Sequence, residues 1–136
     1  GGGIGTDGFG NWVSVNRITC GGQLITVGWT DGTQTTPHLF GKDHCTSPEA
    51  EIVHDGGSKV FILVNPGGRL LRYDTATNAL AQVAKKYGNP DFSHGISVYQ
   101  NVVYHSIKTR HRVDRYNATT NADLGGLLVG LVAPEL

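Results

Sequence analysis

The stretch Arg-Tyr-Asp-Thr-Ala-Thr-Asn-Ala at residues 72–79 occurs again as Arg-Tyr-Asn-Ala-Thr-Thr-Asn-Ala at residues 115–122, which is 43 positions later. Each copy is preceded by an apolar segment with the pattern of a strand, a turn and a return strand. Self-similarity at a fixed period of roughly 20 to 50 residues indicates a fold built from repeated structural units. We therefore expect the chain to contain several β-units of the same design.

A third and weaker copy lies upstream, so that hairpins are predicted over Trp12–Trp29, Lys59–Tyr73 and Val102–Tyr116. The hairpins start 47 and 43 residues apart, and a polar turn follows each of them. We predict a single all-β domain over residues 1–136, made of three antiparallel units of about 45 residues. Each second strand is predicted to end in an aromatic residue: Trp29, Tyr73 and Tyr116.

The composition supports strands and tight turns and limits the classes of partner. The chain has 20 glycines, no methionine and a formal net charge of zero. Lys and Arg are not clustered in blocks, which argues against a nucleic-acid partner held by phosphate neutralisation and against a polybasic membrane anchor. The longest apolar stretch, Leu124–Ala133, is too short to cross a bilayer as a helix.

Three segments give more specific secondary-structure predictions. Lys59–Val64 is the most apolar short run and is predicted to be a strand buried on both faces. Ala79–Tyr87 is the only segment predicted to be helical, over at most about two turns. Leu124–Ala133 is predicted to be a closing strand whose glycines allow another backbone or a ligand to approach.

Two features favour a secreted protein. Cys20 and Cys45 are 25 residues apart, and they either form one disulfide or remain two buried thiols. A disulfide would stabilise the fold by roughly 3 kcal/mol in the chain-entropy model. Asn117-Ala118-Thr119 is an N-glycosylation sequon.

Part of the sequence resembles the jacalin-related lectins, whose fold is a β-prism of three Greek-key sheets. The similar segments are the glycine-rich head Gly1-Gly2-Gly3, VSVNRITCGGQLITVGWTDGT at 13–33, TTPHLFG at 35–41 and KVFILV at 59–64. In that family, sugar binds to the glycine-rich N-terminal region and to a loop that ends in Asp. The resemblance implies a prism-like arrangement with Gly1 and Asp114 at a sugar site, although position 110 is Arg where the family has Gly.

Other segments resemble blades of the tachylectin-like β-propeller lectins. SKVFILVNPGGRLLRYD at 58–74 is similar to a blade hairpin, and KKYGNPDFSHGISVYQNVVYHSI at 85–107 is similar to the next blade. This resemblance implies propeller-type blades as the alternative architecture. Propellers have at least four blades, so a chain of three units would have to associate as a homo-oligomer or be a fragment.

Both resemblances imply a lectin that binds glycans or glycoproteins, and the strand ends supply suitable residue types. Aromatic rings pack against the C–H face of a pyranose, while Asp or Asn oxygens accept hydrogen bonds from its hydroxyls. Core packing for the aromatic residues and turn formation for the acidic ones are the alternative interpretation. The predicted carbohydrate-binding residues are Gly1, Trp29, Asp31, Tyr73, Asp74, Asp114, Tyr116 and Asn117.

A small secreted nuclease or toxin is the alternative function. Histidine would supply acid–base catalysis, Glu49 or Glu51 would assist, and Arg110 or Arg112 would hold phosphate. The six histidines show no metal-ligand spacing, and the chain has no phosphate-binding glycine loop and no Gly-x-Ser-x-Gly motif. The sequence therefore favours a non-enzymatic protein without a metal or cofactor.

Overall fold

The structure, a computed structural model, describes residues 2–19, 22–29, 31–33, 38–40, 49–65, 67–84, 86–88 and 90–128. These parts of the chain form strands joined by turns, with one short 3-10 helix over Lys108–Arg110. The strands are β1 (Gly2–Thr6), β2 (Trp12–Thr19), β3 (Gly22–Gly28), β4 (His38–Phe40), β5 (Glu49–His54), β6 (Lys59–Asn65), β7 (Arg69–Asp74), β8 (Ala79–Ala84), β9 (Ser93–Tyr99), β10 (Val102–Ile107), β11 (Arg112–Asn117) and β12 (Asp123–Leu128).

The twelve strands form three similar antiparallel sheets: sheet 1 (β1–β4), sheet 2 (β5–β8) and sheet 3 (β9–β12). In each sheet the strands follow one another as a simple meander. β1 also pairs in parallel with β5 through Gly2 and Glu49, which joins the edges of sheets 1 and 2. The predicted three-unit all-β fold is confirmed. The prism-like arrangement is not confirmed, because the described strands have no Greek-key connection.

The repeated sequence encodes the same strand end and turn in sheets 2 and 3. Tyr73 pairs with Val60 and Tyr116 pairs with Val103, so β6 and β7 superpose on β10 and β11 with a constant offset of 43 residues. Asn78 and Asn121 adopt left-handed φ values of 59° and 66°, which asparagine tolerates better than most residues. This explains why the turn asparagine recurs in both copies.

Sheet 2 lies between the other two sheets, and its two faces form two cores. Val60, Ile62, Val64, Leu71 and Tyr73 point toward sheet 1. They pack against Val13, Val15 and Val27. Glycines on β1 allow this close approach, because a Cβ at Gly5 would overlap the Ile52 side chain.

The second core lies between sheets 2 and 3. Phe61, Leu63 and Leu70 pack there against Val103 and Tyr116, together with Ile96 and Ala118. β6 is buried along its whole length except for half-buried Lys59, which confirms the predicted strand buried on both faces. Burial of both faces of sheet 2 fixes the order in which the sheets stack.

The prediction of a helix at Ala79–Tyr87 is wrong. Ala79–Ala84 forms β8 and pairs with β7, with Leu80 opposite Tyr73. The Asp74–Asn78 turn returns the chain alongside β7, and this tertiary pairing outweighs a weak local helix propensity. The predicted closing strand begins at Asp123, and its described part ends at Leu128.

Among the described residues, no helix has the length and hydropathy needed to cross a membrane.

Candidate functional site

A cleft of about 290 Å³ opens between sheets 2 and 3, and we call it the intersheet cleft. It lies where β5 and β9 begin, where β6 ends and just after β10, so four separate segments meet there. Its lining combines apolar and polar groups, and consists of Ala50, Glu51, Leu63, Asn65, Phe92, Ser93, His94 and Lys108.

The wall of the cleft is fixed by Asn65 and Ser93, which are buried and 28 residues apart in sequence. The Asn65 amide nitrogen donates to the Ser93 carbonyl at 2.9 Å, and the Ser93 amide donates to Asn65 Oδ1 at 2.8 Å. This reciprocal pair ties the end of β6 to the start of β9. A cleft held in this way is largely preformed, as small-molecule sites usually are.

The groups exposed to a ligand are the side chains of Glu51, His94 and Lys108, and the ring of Phe92 is half-buried beside them. Glu51 Oε1 accepts a hydrogen bond from the Ile96 amide at 3.3 Å, which orients the carboxylate along β9. The cleft thus presents an acceptor, a cationic donor, an imidazole and an aromatic ring.

A buried polar network lies behind the cleft. The Ser93 hydroxyl and His105 Nε2 are 2.6 Å apart, and His105 is only 1% exposed. His105 Nδ1 has no hydrogen-bond partner among the described residues. Burial lowers the pKa of His105 to about 4, and nearby Asp114 opposes this shift only in part. The imidazole is therefore neutral at physiological pH.

Asp114 lies opposite His105 in the β10–β11 register and is fully buried. Arg112 donates to Asp114 Oδ1 from Nε at 2.8 Å and contacts it from Nη2 at 2.7 Å. The Tyr87 hydroxyl donates to Asp114 Oδ2. Burial and this bond to a carboxylate raise the pKa of Tyr87 to about 12.

Lys86 and Asp123 extend the network, and Gly126 closes over it. The Lys86 ammonium lies 2.7 Å from Asp123 Oδ2, and 5.4 Å from the centroid of the Tyr116 ring. The bond from Lys86 is the main cause of the lowered pKa of Asp123. Gly126 of β12 pairs with Asp114 of β11, and any Cβ at position 126 would overlap both Asp114 and Arg112. The network is therefore tightly packed, and it supports the wall of the cleft.

The predicted aromatic residues occupy core positions. Tyr73 belongs to the core between sheets 1 and 2, and Tyr116 to the core between sheets 2 and 3. Trp29 follows β3 and packs, partly buried, against the first core. In sheet 1, Gly28 holds the position before the turn that Tyr73 and Tyr116 hold in the other two sheets. The Trp12 ring lies over Gly28. The alternative interpretation of core packing thus describes these aromatic side chains.

The predicted polar residues of the strand ends stabilise turns. Asp31 Oδ1 accepts from the Thr33 amide at 3.0 Å, and Asp74 Oδ1 accepts from the Ala76 amide at 2.9 Å. Asn117 Oδ1 makes the corresponding bond in sheet 3, and Asp114 is part of the buried network. The structure does not bring these predicted residues together in one cleft. Gly1, Cys20 and Cys45 lie outside the described residues, so the disulfide stays a prediction.

The catalytic alternative is only partly assembled. His94 and Glu51 share the intersheet cleft, whereas His54 and His111 are exposed at turns outside it. Arg110 Nε donates to Asp91 Oδ1 at 2.9 Å, and Arg112 is paired with Asp114. The two arginines proposed for phosphate are therefore engaged by carboxylates. Within the described parts of the chain, no group of three or more His, Cys, Asp or Glu side chains is arranged to hold a metal ion.

Sequence reasoning missed most of the cleft residues. Asn65, Ser93 and Lys108 come from segments far apart in sequence and belong to no local motif. One signal was available in the repeat itself. With the offset of 43 residues, His105 and Asp114 replace Ile62 and Leu71 of sheet 2. A polar pair at two positions that are apolar in the neighbouring repeat marks the network.

No protein-family model matches the chain, and no curated protein matches its sequence. The intersheet cleft is therefore interpreted from its own residues.

Proposed function

We propose that the protein is a non-enzymatic carbohydrate-binding protein that acts outside the cell, with a sugar site in the intersheet cleft. The observation that supports this most strongly is the combination of Glu51, His94 and Lys108 around the half-buried ring of Phe92. Sugars are recognised by hydrogen-bonding groups for their hydroxyls and by an apolar surface for their C–H face. At about 290 Å³, the cleft is close to the roughly 300 Å³ of the smallest ligand pockets, which suits one sugar residue.

A phosphate ligand is less well matched by the same residues. Among the described residues that line the intersheet cleft, Lys108 is the only Lys or Arg, and the carboxylate of Glu51 would repel an anion. Arg110 and Arg112 are already paired with Asp91 and Asp114. We therefore favour a neutral, hydroxyl-rich ligand over the nuclease substrate.

We also infer that the three sheets are arranged as propeller-type blades. Two features support this: each sheet is a four-stranded meander, and β1 and β5 run parallel to each other. Propeller blades have this architecture, with their first strands around a central axis. In that arrangement the intersheet cleft lies between two adjacent blades.

A glycan array with elution by free sugars tests the proposal, using the wild-type chain and two cleft variants. Glu51→Gln keeps the acceptor for the Ile96 amide but removes the charge, and His94→Ala removes the imidazole. We expect Glu51→Gln to weaken binding about tenfold or more, because hydrogen bonds to charged groups contribute about 1.5–3 kcal/mol. We expect His94→Ala to weaken binding about fivefold through the loss of one hydrogen bond of about 1 kcal/mol. His111→Asn is the matched control, since it deletes an exposed histidine outside the cleft at a left-handed position that Asn tolerates.

Absence of binding to any glycan at high protein concentration would reject the proposal. Binding that both cleft variants leave intact would place the sugar site elsewhere, for example at the turns of Asp31 and Asp74. An RNA-digestion assay on the same proteins covers the alternative, and cleavage lost in His94→Ala would favour a nuclease.

A further inference from the structure

Sheets 1 and 3 each have one face that no described residue covers. On sheet 1 this open face contains Ile4, Thr6 and Trp12, because Gly3, Gly5 and Val13 on the same strands point toward sheet 2. It has no charged residue among these positions. Ile4 is 71% exposed there, which is unusual for a large aliphatic side chain in a strand.

On sheet 3 the open face contains Ser97, Tyr104, Ser106, Val113 and Leu127. The last of these is 52% exposed. A shallow groove of about 240 Å³ runs across this face, with Gly95 at one end. The register with β11 places Leu127 opposite Val113, so both side chains belong to the same face.

The repeat shows what kind of surface fits the open face of sheet 3. With the offset of 43 residues, Tyr104, Ser106 and Val113 occupy the positions of Phe61, Leu63 and Leu70. Those three residues of sheet 2 are buried under sheet 3. The open face of sheet 3 is therefore the repeat equivalent of a face that already receives the next sheet.

Arg115 gives a second indication of the same kind. The equivalent Arg72 reaches across to the next sheet and donates to the Thr119 carbonyl at 2.7 Å. In sheet 3, Arg115 donates to the carbonyls of Leu124 and Gly125 at 2.9 and 3.2 Å. These carbonyls belong to its own sheet, whereas the carbonyl that Arg72 contacts belongs to the next sheet. The position of Arg115 is therefore one that, in sheet 2, makes a contact between sheets.

We propose that a second copy of this chain packs its open sheet 1 face on the open sheet 3 face of the first copy. The same contact in the reverse direction closes a two-fold ring. The contact repeats the internal one: Ile52 lies against Gly5 between sheets 1 and 2, and the partner's Ile4 lies against Ser97 in the ring.

Sedimentation equilibrium of the wild-type chain tests the proposal, because the chain mass is 14.5 kDa and the ring has twice that mass. Ile4→Lys and Leu127→Lys each place a charge in the proposed interface on opposite sides, and we expect both variants to sediment as single chains. Leu128→Lys is the matched control: it is the next residue of β12, is 67% exposed and points to the other face. We expect it to keep the doubled mass.

The two faces can be tested against each other with a charge pair. Ser97→Asp faces Ile4→Lys across the proposed contact, and we expect the double variant to recover the doubled mass at low salt. A wild-type protein that remains a single chain at high micromolar concentration would overturn the proposal. A dimer that survives Ile4→Lys would also overturn it, because the open face of sheet 1 would then lie outside the contact.

Discussion

Buried His105 makes the stability of the protein depend on pH in a defined window. Its pKa falls from 6.5 in a solvated chain to about 4 in the folded protein, mainly because burial disfavours the charged imidazole. Between these two values the unfolded chain binds a proton that the folded chain does not. The free energy of unfolding therefore decreases as the pH falls from 6.5 toward 4. The gap between the two pKa values corresponds to a loss of about 3 kcal/mol by pH 4.

The perturbation that isolates this effect is His105→Ile, because Ile62 occupies the equivalent position of sheet 2. Urea denaturation of wild type and variant from pH 7.5 to 4.2 measures both stabilities. The variant leaves the Ser93 hydroxyl without its partner, so the absolute stability of the variant is not informative. The informative quantity is the change in the free energy of unfolding with pH. We expect the wild type to lose about 2 to 3 kcal/mol more than the variant over this range. Parallel pH profiles would refute the argument that His105 is neutral and buried.

Two further substitutions test the packing that supports the fold and the cleft wall. Gly126→Ala places a methyl group where Arg112 and Asp114 meet, and we expect the free energy of unfolding, measured by heat or urea, to fall by roughly 2 kcal/mol. Gly88→Ala is the control, because a Cβ at position 88 meets open space, and we expect it to change stability by less than about 0.5 kcal/mol. Equal effects of the two substitutions would contradict the packing argument. Asp7→Ala removes the carboxylate that joins the β1–β2 loop to the Thr75 hydroxyl at 2.6 Å, and we expect a loss of roughly 3 kcal/mol.

The Asp7 side chain also has a pH signature. Burial alone would raise its pKa, but hydrogen bonds from Thr75, Asn11 and the Phe9 amide hold the pKa below its usual value. Its contribution to stability is therefore complete above pH 3.8 and declines as the pH falls below it. We expect Asp7→Ala to lose this acid sensitivity, and urea unfolding between pH 5 and 2.5 measures it.

The repeat allowed the number of sheets and most strands to be predicted from the sequence. The Arg-Tyr stretch encodes a buried tyrosine, a turn-capping Asp74 or Asn117 and a left-handed asparagine, all of which are local features. The error at Ala79–Tyr87 arose because pairing with β7 is a tertiary effect that local composition does not reveal. Local patterns therefore predict elements better than they predict the partners of those elements.

The candidate site was much harder to predict. The sequence drew attention to Tyr73 and Tyr116, whose rings are buried in the cores, because aromatic residues suit sugars and cores equally well. The cleft depends on Asn65 and Ser93, which only the stacking of sheets 2 and 3 brings together. Non-local pairs of this kind carry no signal in a single sequence.

The central claim is that the intersheet cleft binds a sugar. The most direct test is to map amide chemical shifts while the protein is titrated with the sugar that elutes it most effectively. We predict the largest shifts at Glu51, His94 and Lys108, with saturation at a single site per chain. Shifts confined to the turns around Asp31, Asp74 and Asn117, or no saturable shifts at all, would contradict the claim.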